Sequence, residues 1–486
     1  MARHLTDLPI DLDRDGDTPL TAQLANALRD GMSDRYLEPG ERLPSSRALA
    51  AQLGVSRTVV TEAYQQLYAE GWLEGRHGSG TFVADHGPLP AVDPPPVRPA
   101  APRLSRERAR RQGMVDLRPG APWVFDIDRA AWRRAWRHAA EEPFDDDPDP
   151  RGQPRLRALL AEHLRRARGV RVGPENVLVT RGTGNGLDLV AATLLGPGTR
   201  VGVEDPGYAK AHRVLGSRGA EAVSCPVDHD GILTEDLPSD LSVVYTTPAH
   251  QYPLGGRLPI PRRERLLAWA RANGAMVVED DYDAEFRYDV APLPALYGLD
   301  PGRVILLGTL SKTLSPDLGI GWLVAEPALV DRVAEVRAQL TDRTSGPVQA
   351  ATALLLERGD LDRHLRRMRR EYARRRGLLV ECLGEHLTGD TAGLHVLLPL
   401  PAHAVAGVVD AAAERGVLVM DTGHASRGEP SVHGLIIGYG SATMSQLRHA
   451  CAVLGDVLDR HVPGDGAPSG RSGRAQRGVL ASPGPG

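Results

Sequence analysis

The sequence predicts two folded parts in series: a small helical unit closed by a hairpin, then a large α/β domain on a mainly parallel sheet. Three observations predict this. The chain has 486 residues, too many for one ordinary domain and enough for two or three. A proline-rich run, ADHGPLPAVDPPPVRPAAP, interrupts it and cannot build a core. Beyond that run, short apolar segments alternate with helical stretches, the pattern of strands joined by crossover helices.

Composition sets the class. Hydrophobic residues make up 41% and charged residues 25%, as in a globular protein with a substantial core. The net charge is −4, so any nucleic-acid contact must come from a local patch. Cys225, Cys382 and Cys451 show no CxxC spacing, which argues against a disulfide framework or a zinc knuckle. No metal site is expected. The first residues lack the apolar core of a signal peptide, and no run reaches membrane-span length, so the expected location is cytoplasmic. Arginines abound, yet the only lysines are Lys210 and Lys312. A genome favouring arginine codons explains the bias. A lysine that survives it is a candidate for amine chemistry, in which arginine cannot replace it.

Residues 1–83 are expected to form the first unit. Leu49 and Leu53 lie one turn apart on a short helix, and Gly54 permits a sharp turn. Ser56 caps a second helix starting near Arg57. Val60, Ala63, Tyr64 and Leu67 mark its inward face. Arg57, Thr58 and Thr61 lie on another face near the helix start, where a recognition helix meets bases and phosphates. A hairpin follows, with Arg76-His77-Gly78-Ser79-Gly80 as a basic turn and Thr81-Phe82-Val83 as the returning strand. No acid occurs from Arg42 to Thr61. A turn between helices alone would suit any helical hairpin. Turn, capped helix and glycine-flanked wing in one order point to a winged helix-turn-helix.

The linker is placed at 84–113, first proline-rich and then basic. The large domain is placed at 114–462. Its strand candidates include Val177-Leu178-Val179, Val201-Gly202-Val203, Val243-Val244-Tyr245, Met276-Val277-Val278 and Val304-Ile305-Leu306-Leu307. Residues 187–195 and 262–272 read as helices between them. Residues 463–486, rich in Gly, Pro, Ser and Arg, are expected to be a disordered tail.

Three runs in the large domain bear on chemistry. Lys312 follows a buried-type strand in LGTLSKTLSP, which puts its amine at the mouth of the sheet. In VVEDDYDAEFRY, Asp280 ends a strand and Tyr282 follows, with Asp281 as the alternative acid. A solvated acidic turn explains that run equally well on its own. In VTRGTGNGLDL a strand ends, glycines let the backbone approach, and a helix begins near Asn185. Amides at a helix start favour phosphate. Gly182, Thr183 and Gly184, with Thr309 and Ser311, are the candidate cup, and Tyr208 in VEDPGYAKA is a candidate ring-stacking residue. A lysine, a buried acid, a polar partner and a phosphate cup together suit pyridoxal 5′-phosphate (PLP).

The motifs LPSSRALA, LGVSRTVV and GWLEGRHGSGTFV resemble the winged-helix domain of the GntR family. That resemblance implies DNA contacts at Arg47, Ser56, Arg57, Thr58, Thr61, His77 and Gly78, with Arg42 as a weaker candidate. EDPGY, TTPAHQYPLGG, EDDYDAEFRY and GTLSKTLSP resemble, in order, the class I aminotransferases of PLP fold-type I. A GntR-type head on such a domain is the architecture of the MocR subfamily. The resemblance implies PLP as cofactor, Lys312 as its Schiff-base lysine, Asp280 on the ring nitrogen and Tyr282 at the ring hydroxyl. His250 in HQYP resembles a loop residue near that hydroxyl. It further implies a head-to-tail homodimer on double-stranded operator DNA, and a small amine or a vitamer as effector.

Three positions depart from the family. Gly319 stands where an arginine usually binds the phosphate. Asp147 stands where a partner-subunit tyrosine usually helps. Ile436 stands where an arginine usually anchors a substrate carboxylate. The expectation is therefore a regulator that senses through its cofactor domain. The alternatives are a working aminotransferase with an accessory head, and a degenerate domain kept for dimerisation.

Overall fold

In the computed structural model the chain divides into two compact units, Met1–Pro102 and Arg103–Gly486. It describes residues 10–34, 36–76, 80–85, 104–283, 285–289, 294–389 and 391–462. The proposed tail, and His77 and Gly78 of the wing, lie outside these residues.

The small unit holds α1 (Leu20–Ser33), α2 (Ser46–Leu53), α3 (Arg57–Ala69) and the hairpin β1 (Leu73–Arg76) and β2 (Gly80–Val83). Serines start both later helices. Ser45 Oγ accepts from the Ala48 amide, and Ser56 Oγ from the Val59 amide. Gly54 ends α2 at φ +63, a left-handed conformation that glycine takes without strain. Arg14 Nη2 donates to the Gly54 carbonyl at 2.9 Å. The core joins Leu24 and Leu28 of α1 to Leu49 of α2, Val60, Ala63 and Leu67 of α3, and Leu73 and Val83 of the hairpin.

The large unit opens with α4 (Arg106–Arg111), β3 (Val115–Asp116), α5 (Arg129–Glu141) and α6 (Pro154–Arg168). The linker boundary read at 113 therefore overshoots. Residues 104–113 belong to this unit: Ser105 caps α4, and Ala109 is fully buried. Then come β4 (Val177–Thr180), α7 (Thr183–Leu194), β5 (Arg200–Asp205), α8 (Ala209–Gly216), β6 (Glu221–Asp228), β7 (Gly231–Ile232) and β8 (Leu241–Thr246). They are followed by α9 (Ile260–Asn273), β9 (Met276–Asp281), β10 (Val304–Thr309), β11 (Gly321–Val324), α10 (Pro327–Gln339), α11 (Gly346–Glu357) and α12 (Asp360–Leu383). The chain closes with β12 (His395–Pro399), α13 (Ala402–Glu414), β13 (Val417–Leu418), β14 (Met420–Asp421), β15 (Gly434–Gly438) and α14 (Met444–His461).

The central sheet runs β4-β11-β10-β9-β8-β5-β6-β7. From β10 to β6 every pairing is parallel. The pairings of β11 with β4 and β10, and of β7 with β6, are antiparallel. Alternation along β10 shows why both faces are covered. Val304 and Leu306 enter one core with α6 and α11, while Ile305 and Leu307 enter another with α7 and α10. A small sheet, β12-β15-β14, lies with the C-terminal helices, and β3 pairs in parallel with β13. Among the described residues no helix is long and apolar enough to cross a membrane. Cys225 and Cys451 are buried free thiols, and Cys382 is an exposed one.

Candidate functional site

In the small unit the candidate residues sit around the start of α3. Arg42, Arg47, Arg57 and Thr58 are exposed. Arg57 Nε donates to Ser46 Oγ at 3.3 Å, which ties the guanidinium to the neighbouring helix. Arg42 lies against Gly80 at the turn end of the hairpin and makes no ion pair among the described residues. Ser56 Oγ is occupied as the helix cap. Thr61 is half-buried, and its hydroxyl donates to the Arg57 carbonyl at 2.9 Å. On the hairpin, Arg76 pairs with Glu74 at 2.8 Å and stacks 4.7 Å from the centre of the Phe82 ring.

The large unit carries a cavity of about 560 Å³ at the ends of the parallel strands. All nine sequence candidates line it: Gly182, Thr183, Gly184, Tyr208, Asp280, Tyr282, Thr309, Ser311 and Lys312. Strand alternation selects Asp280 over Asp281. Asp280 Oδ2 accepts from the Tyr245 hydroxyl at 2.7 Å inside the cavity wall. Asp281 instead forms a buried ion pair with Arg168 at 2.8 Å and is not on the wall. Burial pushes the Asp280 carboxyl up to about 7, against the lowering pull of the Tyr245 bond and of Lys312.

Lys312 is half-buried, not a surface lysine. Burial lowers its pKa, although Asp283 and Asp280 act in the opposite sense. Its Nζ donates to the Gly120 carbonyl at 2.6 Å. The Tyr282 hydroxyl is 3.0 Å from the His250 carbonyl, to which it donates, and 3.2 Å from His250 Nδ1. His250 thus stands behind Tyr282 and off the cavity wall, paired with Asp283 at 3.1 Å. His395 packs 4.8 Å from the His250 ring, and burial holds its pKa down to about 3. Ligating atoms of His250, Asp283 and His395 lie within 4.8 Å of one another, a grouping that the sequence spacing did not signal.

The helix-start cup is also formed. Helix α7 begins at Thr183, two residues before the expected start at Asn185, and its N-cap Gly182 offers no capping side chain. The first amides of α7 are therefore left for another acceptor. Gly182 has φ +101, a conformation that favours glycine, and it faces Thr309 Oγ1 and Ser311 Oγ across the cup. Lys210 Nζ lies 3.4 Å from where a Gly184 Cβ would stand, over the same helix start. The sequence signalled Lys210 by its rarity and, with Arg213 and Arg427, as a candidate to replace the carboxylate arginine absent at Ile436. It gave no signal for Arg106, Gly120, Tyr245 or Met420, which also line the cavity.

The three departures are explained locally. Gly319 turns at φ +54, with open space beyond its Cα and no place on the cavity wall. Asp147 is exposed, its amide bonded to Asp145. Ile436 is fully buried in an apolar cluster with Leu254, Leu397 and Ala425.

The residues fit a pyridoxal-type group. Asp280 Oδ1 is buried and lacks a partner at hydrogen-bonding geometry, although Thr183 stands near enough to help lower the carboxyl's pKa; a pyridinium N–H would satisfy that oxygen. Lys312 and an uncapped helix start stand on the same wall.

Known proteins agree with this geometry. Residues 20–83 match the model for bacterial regulatory proteins of the gntR family, and residues 121–454 that for class I and II aminotransferases. A crystal structure of an archaeal alanine:glyoxylate aminotransferase superposes with a TM-score of 0.67 and 26% identity, covering 73% of this chain and 93% of that one. The chain is 38% identical over 458 residues to the HTH-type pyridoxine biosynthesis transcriptional regulator PdxR of Corynebacterium glutamicum, covering 93% of this chain and 99% of the relative. It is 39% identical over 392 residues to the probable rhizopine catabolism regulatory protein MocR of Rhizobium meliloti, covering 77% and 79%. The class is thus a DNA-binding transcription regulator joined to a domain of PLP fold-type I. Within that class the chain belongs to the MocR subfamily of GntR-type regulators.

Proposed function

We propose that this regulator holds pyridoxal 5′-phosphate in the large-unit cavity and uses it to sense a small amine or vitamer. The carrying observation is the buried, unpartnered Asp280 Oδ1 on the same cavity wall as the Lys312 amine. When bound, PLP supplies a reactive aldehyde and an electron-drawing pyridine ring. Lys312 would hold it covalently, and its lowered pKa favours the neutral amine that this needs. Asp280 would hold the ring-nitrogen proton, and Tyr245 fixes that carboxylate. Tyr208 would stack on the ring, and Tyr282 would turn from His250 towards the ring oxygen. Gly182, Thr183, Gly184, Thr309 and Ser311 would receive the phosphate, with Lys210 adding charge.

On DNA, Arg47, Arg57 and Thr58 would meet bases and phosphates at the start of α3, with the wing alongside. Ligand capture would shift the small sheet and its helices against the central sheet and so re-space two heads in a homodimer. Ile436 supports sensing over transamination, because an apolar side chain there gives a substrate carboxylate no anchor.

The test is spectroscopic. PLP titrated into the wild-type protein is expected to give a visible absorption band that the Lys312→Ala protein lacks. A wild-type protein without the band overturns the cofactor reading. Efficient steady-state transamination of common amino acids overturns the preference for a sensor.

A further inference from the structure

The stretch between β3 and α5 grips the segment that holds Lys312. The Gly120 carbonyl accepts from Lys312 Nζ at 2.6 Å. Gly120 has φ +96, and a Cβ there would stand 3.3 Å from Nζ, so glycine is favoured by backbone and space together. The segment on either side of Gly120 is clamped to the C-terminal part of the fold. The Leu117 amide donates to the Leu418 carbonyl at 2.8 Å, and the Leu117 carbonyl accepts from the Gly438 amide at 2.6 Å. A Cβ on Gly438 would lie 2.8 Å from Pro119 Cα, and one on Gly440 2.2 Å from the Ala121 oxygen. The Trp123 amide donates to the Tyr372 hydroxyl at 2.7 Å.

The other grip comes from α4. Arg106 Nη2 donates to the carbonyls of Arg118 and Pro119, both at 2.7 Å, and Nη1 lies 3.2 Å from Asp116 Oδ1. Arg118 reciprocates, donating to the Leu104 carbonyl at 2.9 Å and to Asp116 at 2.9 Å. Helix α4 and the segment before Gly120 are therefore tied in both directions. Arg106 itself lines the cavity. The chain N-terminal to α4 leads back to the DNA reader.

We propose that Arg106 is a positioning residue for Lys312, and that capture of a carbonyl ligand by Lys312 is felt through Gly120 and Arg106 at the base of the linker. This rests on the reading of the cavity as a PLP site. The chemistry requires a change at Gly120. When the neutral amine condenses with an aldehyde, a C=N bond forms, and both amine hydrogens leave with the aldehyde oxygen as water. Any proton that the nitrogen then carries would lie in the plane of the C=N bond, drawn to the ring oxygen, and would no longer reach the Gly120 carbonyl. That carbonyl must find a new donor or move, and Arg106 holds the next two carbonyls upstream. The Arg106 charge also helps to lower the Lys312 pKa, so the same residue tunes the amine.

The test uses the full-length protein, with hydrogen exchange followed across residues 104–120 in the presence and absence of PLP. The expected result is about fivefold faster exchange in that stretch when PLP is bound, the equivalent of one lost hydrogen bond. The visible band is recorded on the same samples. A band with unchanged exchange at 104–120 overturns this inference and leaves the cofactor site standing. Absence of the band removes both. An Arg106→Gln protein should still form the band, with the exchange response lost and the pH midpoint for PLP capture moved upward. Arg106→Lys should restore the midpoint, because it restores the charge. A midpoint in Arg106→Gln equal to wild type overturns the positioning role.

Discussion

In the small unit, the described candidate DNA contacts fall between Arg42 and Thr61 and are mostly exposed; in the large unit, the cavity draws on residues from Arg106 to Met420 and buries its acids. Helix caps and a glycine turn place the first set, so a few neighbouring residues suffice. The second set is assembled by strand alternation and by loops meeting at strand ends. Its groups alter one another: Asp280 is raised by burial, Lys312 is lowered by burial, and each counters the other's shift. Side chains of the reader therefore act nearly independently, whereas those of the cavity act as a coupled set.

Independent action in the reader predicts the largest effect. Arg47→Ala combined with Arg57→Ala is expected to cost about 2–5 kcal/mol of specific DNA affinity, near the sum of the single losses. Gel shifts at fixed salt measure this, and the PLP absorption band should stay unchanged. Strong non-additivity, or a changed band, would break the contrast between the two regions.

The coupled cavity predicts an effect of opposite sign with and without cofactor. The Asp280 carboxyl stands at about 7 in the folded chain, above the ordinary value near 4 of an unfolded chain. Between about pH 4 and 7 the folded state binds more protons. Stability from this group is thus fully present at low pH and is lost as pH rises towards 7. Above pH 7 the buried carboxylate remains a cost. Asp280→Asn should therefore stabilise the cofactor-free protein at pH 8 by about 1–3 kcal/mol, and much less at pH 4. The same change should weaken PLP by about 2 kcal/mol, because the ring-nitrogen proton loses its charged partner. Denaturant melts at the two pH values and a PLP titration give both numbers. A cofactor-free Asp280→Asn protein that is less stable at pH 8 would contradict the burial argument.

Lys210 sharpens the same contrast at smaller scale. It is exposed, and its ammonium stands over the start of α7. Lys210→Ala is expected to weaken PLP by about 1–2 kcal/mol. The loss should shrink at high salt, unlike that of Asp280→Asn, because exposed charges are screened and buried ones are not. Equal salt sensitivity in the two variants would sink the distinction.

The same physics decides what the sequence could disclose. The cap at Ser56, Gly54 and the inward face of α3 were readable because they act on neighbours in the chain. The nine cavity residues were readable because each lies at or just beyond a strand end or at a helix start. Asp281 stood as the alternative to Asp280 until strand alternation put Asp280 in the cavity and Asp281 on Arg168. Arg106 and Gly120 were hidden because their partners, Pro119 and Lys312, are set by tertiary packing. Residues 104–113 looked like linker because composition cannot show that Ala109 is buried and that Arg106 binds backbone carbonyls. The sequence pattern did not disclose the Thr61 bond, because whether a threonine inside a helix bonds the carbonyl four residues back depends on its rotamer, and here it does.

Ser56 is both a helix cap and a candidate DNA contact, and two substitutions separate the roles. Its cap bond to the Val59 amide is long, at 3.4 Å. Ser56→Ala should therefore cost the small unit only about 0.5–1 kcal/mol, the lower part of the capping range. Ser56→Asp keeps a capping oxygen and adds a negative charge that suits a helix start, so thermal stability should hold or rise slightly. The same charge beside a phosphate would repel it. If Ser56 faces DNA, Ser56→Asp must lose more affinity than Ser56→Ala while melting higher. If it only caps α3, affinity must follow stability in both variants. Melting curves and gel shifts on the two proteins decide between these outcomes, and they place the DNA-facing edge of α3 to within one residue.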